Sequence, residues 1–198
     1  MPVLMGQFRE VKPMLEAEAL YRRWIAQLNE QFSVNQGADR RAEIVRDELY
    51  QMYLGQPRGG KMNAGLTSEM ASCVLTESFD ARNVTLPAEY TQDLDVEKYA
   101  PRKPLIWFWQ MFDRSPLGLN HWLGVRFRCM LGSHIFKHLG KGVKFHVNVR
   151  FIHGYNLVVE DNCRIRRGVL LDDSGGDLVI PEGTVVELGT TYPPRLRD

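Results

Sequence analysis

The hydrophobic positions in the last third of the chain follow a spacing that fits neither a plain strand nor a plain helix. In the segment LVVEDNCRIRRGVLLDD, residues 157–173, apolar residues recur at gaps of four, two, four and two. A strand alternates every two residues, and a helix repeats every three or four. A six-residue repeat with two inward positions instead predicts short strands joined by turns, with three strands making one triangular turn of about 18 residues.

The same repeat extends over residues 139–191. Extra residues near Leu157 and near Asp177 can be absorbed at corners as loops. An antiparallel meander is the alternative, and VKFHVNVRF alone would support it, but a meander does not explain the later steps of four and two. We therefore predict a parallel β-helix over residues 139–191. The inward positions are Leu139, Val143, Phe145, Val149, Phe151, Tyr155, Val159, Cys163, Ile165, Val169, Leu171, Gly175, Ile180, Thr184, Val186 and Thr190.

The first 58 residues carry the spacing of amphipathic helices. Residues 18–32 place their apolar side chains on one stripe, which predicts a first helix. Residues 38–55 predict a second helix, with Asp39 able to cap its start and Gly55 able to end it. Because two short helices cannot form a core alone, we expect this helical hairpin, residues 1–58, to pack on another part of the chain.

Residues 59–138 are expected to form a connector and capping helices. Residues 68–77 suggest a short helix, and residues 81–104 an extended connector interrupted by prolines. One or two helices are predicted between residues 119 and 138. The aromatic run at residues 107–109 is expected to cover the open end of the strands, with contact to lipid or a glycan as the alternative. Residues 192–198 are left as a tail, and the predicted fold class is mainly β with an α-helical N-terminal part.

Charge and cysteine content narrow the class of partner. With 25 Lys and Arg against 24 Asp and Glu, nothing in the composition calls for nucleic acid or an anionic membrane. The three cysteines are far apart and form no CxxC pair, which argues against a disulfide framework and predicts a reducing cytoplasm. The N-terminus lacks the pattern of a signal peptide. The most apolar run, PLIWFWQMF, is shorter than the ~20 residues that an integral membrane segment needs.

Three short segments carry a family resemblance. LGKGVKF, VEDNCRI and IPEGTVV resemble the hexapeptide repeats of left-handed parallel β-helix acyltransferases. Residues 101–118 and 156–176 are similar to a bacterial subgroup of that family, and the resemblance covers roughly residues 99–183. The helical start is similar to the caps that precede the strands in sugar acetyltransferases. The resemblance implies a left-handed β-helix, a homotrimer, and an acyl-CoA donor bound in a groove between neighbouring subunits.

The resemblance also implies a histidine that takes the proton from the acceptor hydroxyl or amine. No histidine follows LLDDSGG, where the family would place it, so the catalytic residue is unknown. His153 beside an insertion corner is a substitute base or, alternatively, a surface histidine. His134 and His138 lie four residues apart on a predicted helix, but without a third ligand they indicate a solvent-facing or capping pair, and we expect no metal.

Two arginines are the candidate cofactor-binding residues. Stacked strands would bring Arg150 and Arg167 onto one edge, where they could grip the phosphates of coenzyme A. The alternative is a solvated basic face that is balanced by Asp172 and Asp173.

The sequence therefore supports two hypotheses. The first is an acyltransferase that moves acetyl or another acyl group from acyl-CoA to the oxygen or nitrogen of a small-molecule, saccharide or cell-envelope acceptor. The second is a non-catalytic, truncated β-helix module without the general-base histidine.

Overall fold

The computed structural model describes residues 11–57 and 70–193. Helices dominate its first two thirds, and short strands form its last third. The helices are α1 (Leu15–Val34), α2 (Ala38–Leu54), α3 (Met70–Glu77), α4 (Val96–Tyr99), α5 (Lys103–Arg114), α6 (Pro116–Leu119) and α7 (His121–Ile135), with 3₁₀ turns at Ala81–Asn83 and Pro87–Tyr90.

The two predicted N-terminal helices are present, and they pack on α5 and α7. Helix α2 ends at Gly55, whose φ of 67° is the left-handed conformation that glycine adopts without strain. The predicted cap by Asp39 is wrong, because Gly37 occupies the capping position and no side chain caps the helix. Phe32 of α1 contacts Phe108 of α5, so the hairpin shares one core with the later helices.

In the described part of the chain, nine strands follow the helices and are distributed over three parallel sheets. Strands β1, β4 and β7 form the first sheet, β2, β5 and β8 the second, and β3, β6 and β9 the third. Successive strands thus belong to different sheets, and we call β1–β3, β4–β6 and β7–β9 the first, second and last layers. The strands are His138–Leu139, Lys144–Phe145, Arg150–Phe151, Leu157–Val159, Arg164–Ile165, Leu170–Leu171, Leu178–Ile180, Val185–Val186 and Thr191–Tyr192.

The predicted fold class is wrong. Helices account for about 51% of the described residues and strands for only 12%, so the chain is not mainly β. The strands form three short three-stranded sheets and no closed or solenoid sheet, which contradicts the predicted left-handed parallel β-helix. The physical reason is that each strand has only two or three residues, whereas the segment from Lys103 to Ile135, treated as a connector with caps, forms long helices with a core of their own.

The inward side chains of the strand region nevertheless follow the six-residue spacing. Phe145, Ile165 and Val186 occupy one column in register, and all three are buried. Between the strands, the turns place Asn148 and Asn162 at positive φ, where later layers carry glycine. Most predicted inward residues are buried, but Gly175 and Thr190 are exposed. The spacing therefore predicted the burial pattern better than it predicted the fold class.

Helical side chains cover the outer edge of the first layer. Three carbonyl oxygens there, those of Val143, Phe145 and Val149, accept hydrogen bonds from Cys129 Sγ, Arg128 Nη1 and Trp109 Nε1 at 3.2, 3.5 and 3.0 Å. The ring of Trp109 packs on Phe136, Phe145 and Phe151. Trp109 therefore covers the end of the strands, as the sequence predicted for the aromatic run, and the run is not a lipid-facing surface.

The last layer has no such cover in the described part of the chain. The amide of Lys144 donates to the carbonyl of Cys163, and the amide of Arg164 donates to that of Thr184. The amide of Val185, next in the same column, has no acceptor among the described residues. Pro181 and Pro193, which lack an N–H, stand where Glu160 and Asp172 of the second layer donate to the last layer. Prolines and short strands limit the pairing capacity of such an edge. Among the described helices, none is long and apolar enough to cross a membrane.

Candidate functional site

A cavity lies between helix α5 and strand β3. It has a volume of about 630 Å³, which is within the range of small-molecule sites. We call it the main cleft. Its walls come from segments far apart in sequence, namely the turn at residues 86–88, α4, α5, residues 148–152 and strand β6. The lining residues are Leu86, Pro87, Ala88, Tyr99, Ile106, Trp109, Gln110, Asp113, Arg114, Asn148, Val149, Arg150, Phe151, Ile152, Gly168 and Leu170.

A buried ion pair fixes the outer, polar end of the main cleft. Arg128 binds Asp113 through Nη2 at 2.5 Å and Nε at 2.7 Å, and its Nη2 also donates to the carbonyl of Gly118 at 2.8 Å. The second carboxylate oxygen of Asp113 accepts the amide of Asn148 at 2.9 Å. Burial raises the pKa of Asp113, and the attraction of Arg128 lowers it by less. Asp113 is thus occupied by structural contacts and is not free to bind a ligand.

Two further arginines give the same end a net positive charge. Arg114 and Arg150 line the cleft, and neither forms a salt bridge within the described residues, although the charge of Arg114 helps to lower the pKa of Asp113. Arg114 donates only to the carbonyl of Gln110, one turn back on α5, at 2.8 Å. Because the charge of Asp113 is balanced by Arg128, the excess charge at the polar end favours an anionic ligand.

The inner end of the main cleft is apolar. Leu86, Ala88 and Ile106 are buried there, and Tyr99 closes the wall at 3% exposure. Burial raises the pKa of the Tyr99 phenol, so the hydroxyl stays protonated. The cleft therefore combines a cationic end with an apolar end.

The two predicted cofactor-binding arginines occupy different places. Arg150 is on strand β3, opposite Leu170 of β6, and it lines the main cleft. Arg167 is exposed in the turn before β6, and its neighbour Gly168 lines the cleft while Arg167 does not. Asp173, the supposed surface counter-charge, is buried at 1% exposure. Arg150 and Arg114 line the same cleft, a combination that the sequence did not suggest.

His153 is not a surface residue. Its side chain is fully buried, stacks on Tyr155 with ring centroids 5.2 Å apart, and contacts Thr91 Oγ1 through Nε2 at 2.9 Å. Asp173 holds the same loop by accepting the amides of residues 152, 153 and 154 at 2.7 to 3.0 Å. Burial raises the pKa of Asp173, and these three amides lower it by less. His153 and Asp173 therefore anchor the loop, and the imidazole is sealed from substrate.

The histidine pair at residues 134 and 138 does not form a site. His134 contacts Asn29 Oδ1 at 2.9 Å and packs against Phe32, whereas His138 is exposed on strand β1. Within residues 11–57 and 70–193, no three His, Cys, Asp or Glu side chains are grouped as metal ligands would be.

A second histidine pair was missed in the sequence. The rings of His121, at the start of α7, and His146, after β2, lie 5.1 Å apart. The pKa of His146 is lowered by burial first and then by His121 and the arginines at 164, 128 and 166. Since the two histidines are 25 residues apart, no local pattern could have joined them.

Comparison with known proteins adds no identification. No family model, curated protein or solved structure matches this chain.

Proposed function

We propose that this protein is an acyl-CoA-dependent transferase that moves an acyl group to the oxygen or nitrogen of a saccharide or cell-envelope acceptor. The observation that carries the proposal is the main cleft, where Arg114 and Arg150 lie at one end and an apolar wall at the other. The phosphates of coenzyme A fit two guanidinium groups that form no salt bridge with another described residue. Its largely uncharged pantetheine arm fits the inner part of the cleft. The hexapeptide-like segments of residues 99–183 point to the same donor.

The proposal includes the homotrimer that the resemblance implies and the cytoplasmic compartment that the cysteine content predicts. A homotrimer would place the outward faces of neighbouring subunits against each other. Cys73, Cys129 and Cys163 are all free thiols, which is compatible with a reducing cytoplasm. The acceptor is a small molecule or a glycan.

A second candidate is a non-catalytic module that binds the same ligand. It is favoured by one observation, namely that no histidine lines the main cleft in the described ranges. Asp113, the carboxylate in the cleft, is held by Arg128 and by the amide of Asn148.

Calorimetric titration with coenzyme A and acetyl-CoA tests donor binding. We expect Arg150→Glu to weaken binding about tenfold or more, because an attractive charge becomes repulsive, and salt to weaken the wild type. Arg167→Glu should have a smaller effect, because Arg167 lies beside the cleft. Lys144→Glu, an exposed charge reversal on strand β2, is the matched control and should leave binding unchanged.

Release of free thiol from acetyl-CoA over a panel of sugars separates the two candidates. Turnover supports the transferase, and donor binding without turnover supports the module. If the wild type shows no binding at millimolar coenzyme A, both candidates fail.

A further inference from the structure

Tyr99 is the bulkiest side chain at the inner end of the main cleft. Tyr99 forms its wall together with Leu86, Ala88 and Ile106. Along α5, Ile106 and Arg114 are eight residues apart, so the two ends of the cleft are separated by roughly 12 Å at 1.5 Å per residue.

A second cavity also borders Tyr99. Its volume is about 440 Å³, and Arg82, Glu89 and Lys103 are among its lining residues. Tyr99 is the residue that lines both cavities. Tyr99 therefore stands between the two cavities.

Packing alone holds the Tyr99 ring in this position. Its hydroxyl is buried and has no hydrogen-bond partner among the described residues. A buried polar group without a partner destabilises the folded state. The position of the ring therefore does not depend on its hydroxyl, and phenylalanine would fill the same volume.

We propose that Tyr99 limits the size of the acyl group, so that the cleft accepts short-chain acyl-CoA donors and rejects longer ones. This inference rests on the proposed function. With the phosphates held by Arg114 and Arg150, the pantetheine arm runs along α5 toward Ile106, and the acyl group meets the Tyr99 ring. A longer chain needs the space behind that ring.

The test is a calorimetric comparison of coenzyme A, acetyl-CoA and octanoyl-CoA. We expect the wild type to bind octanoyl-CoA about tenfold or more weakly than acetyl-CoA, since a closed pocket discriminates strongly against added bulk. Tyr99→Ala should bring the two affinities together by opening the second cavity. Tyr99→Phe is the matched control, because it keeps the ring, and its preference should equal that of the wild type.

The outcomes distinguish a failure of the role assigned to Tyr99 from a failure of the proposed function. Binding of coenzyme A with equal affinity for both acyl donors in the wild type would overturn the role of Tyr99 and leave the proposed function standing. An unchanged preference in a folded Tyr99→Ala would do the same. If Tyr99→Ala does not fold, Tyr99→Leu provides the smaller side chain. Absence of coenzyme A binding in every variant would overturn the proposed function itself.

Discussion

The first and last layers of the strand region are protected against further strand pairing in different ways. The first layer is covered by side chains of α5 and α7, which satisfy its outer carbonyl groups and bury Phe145 under Trp109. In the last layer, prolines occupy two positions where the second layer has hydrogen-bond donors, and a polar residue replaces an apolar one in an inward column. The inward column that contains Val149 and Val169 continues with Thr190, which is exposed. An edge can thus be protected by a cover or by a sequence that pairs poorly.

The buried ion pair under the first layer should have the largest effect on stability. Arg128→Met leaves the Asp113 carboxylate buried without its partner, and we expect a loss of ~3–5 kcal/mol in the free energy of unfolding. Arg166→Met at the other end breaks the exposed pair with Glu187, where the atoms are 3.3 Å apart, and should cost under ~1 kcal/mol. Urea denaturation of both variants makes the comparison. Equal losses in the free energy of unfolding would show that the buried ion pair under the first layer stabilises the fold no more than the exposed pair does.

An exchange of valine and threonine sharpens the same comparison with nearly constant volume. Val149→Thr places a hydroxyl in the dry first layer, and we expect a loss of ~1–3 kcal/mol. Thr190→Val on the last layer removes a hydroxyl that donates to the carbonyl of Glu187 at 2.8 Å. Its effect should stay within about 1 kcal/mol, because the site is open to water. Thermal unfolding measures both changes, and a larger loss for Thr190→Val would reverse the assignment of the two ends.

His146 makes the stability of the folded protein depend on pH. The folded state lowers the pKa of His146 below its ordinary 6.5, chiefly by burial and then by repulsion from His121 and the arginines at residues 164, 128 and 166. The unfolded chain therefore binds the proton first, and stability that is full above pH 6.5 falls as the pH drops toward the folded pKa. Because His146 is partly exposed, the loss should stay below ~1 kcal/mol.

The matched variant for the pH effect is His146→Gln, which should flatten the stability profile between pH 7.5 and about 5. In the last layer, the position that corresponds to His146 is occupied by Glu187, which forms an ion pair with Arg166. A profile that is identical in wild type and variant would contradict the assignment.

The smallest expected effect is at the open edge. Pro181→Ala restores an N–H where Glu160 donates in the second layer, and its effect on unfolding should not exceed ~1 kcal/mol. We expect it to increase self-association, because the edge gains a donor for pairing. Light scattering at several protein concentrations gives the readout. Ala88→Gly, away from the edge, controls for general destabilisation.

Local patterns in the sequence predicted the helices and the inward columns, because both depend on residues close along the chain. The spacing found α1, α2 and the burial of Phe145, Ile165 and Val186. The spacing did not predict the fold class, because residues 103–135 form more helix than the connector and capping helices that were expected there. It also failed on the main cleft, whose walls at Leu86, Arg114 and Arg150 meet only through tertiary packing. His153 was misread because its burial depends on Thr91, 62 residues away.

The order of parts along the chain has a consequence for how the protein folds. During synthesis, α5 and α7 are complete before any strand leaves the ribosome. Arg128 and Phe145 are 17 residues apart, and each strand pairs with one 20 or 21 residues earlier. Every contact of the growing sheets is therefore made to a segment that is already present, so each new strand can join an existing template. Closure over such short distances costs little entropy, so we expect the strands to be added to the helical cover in sequence.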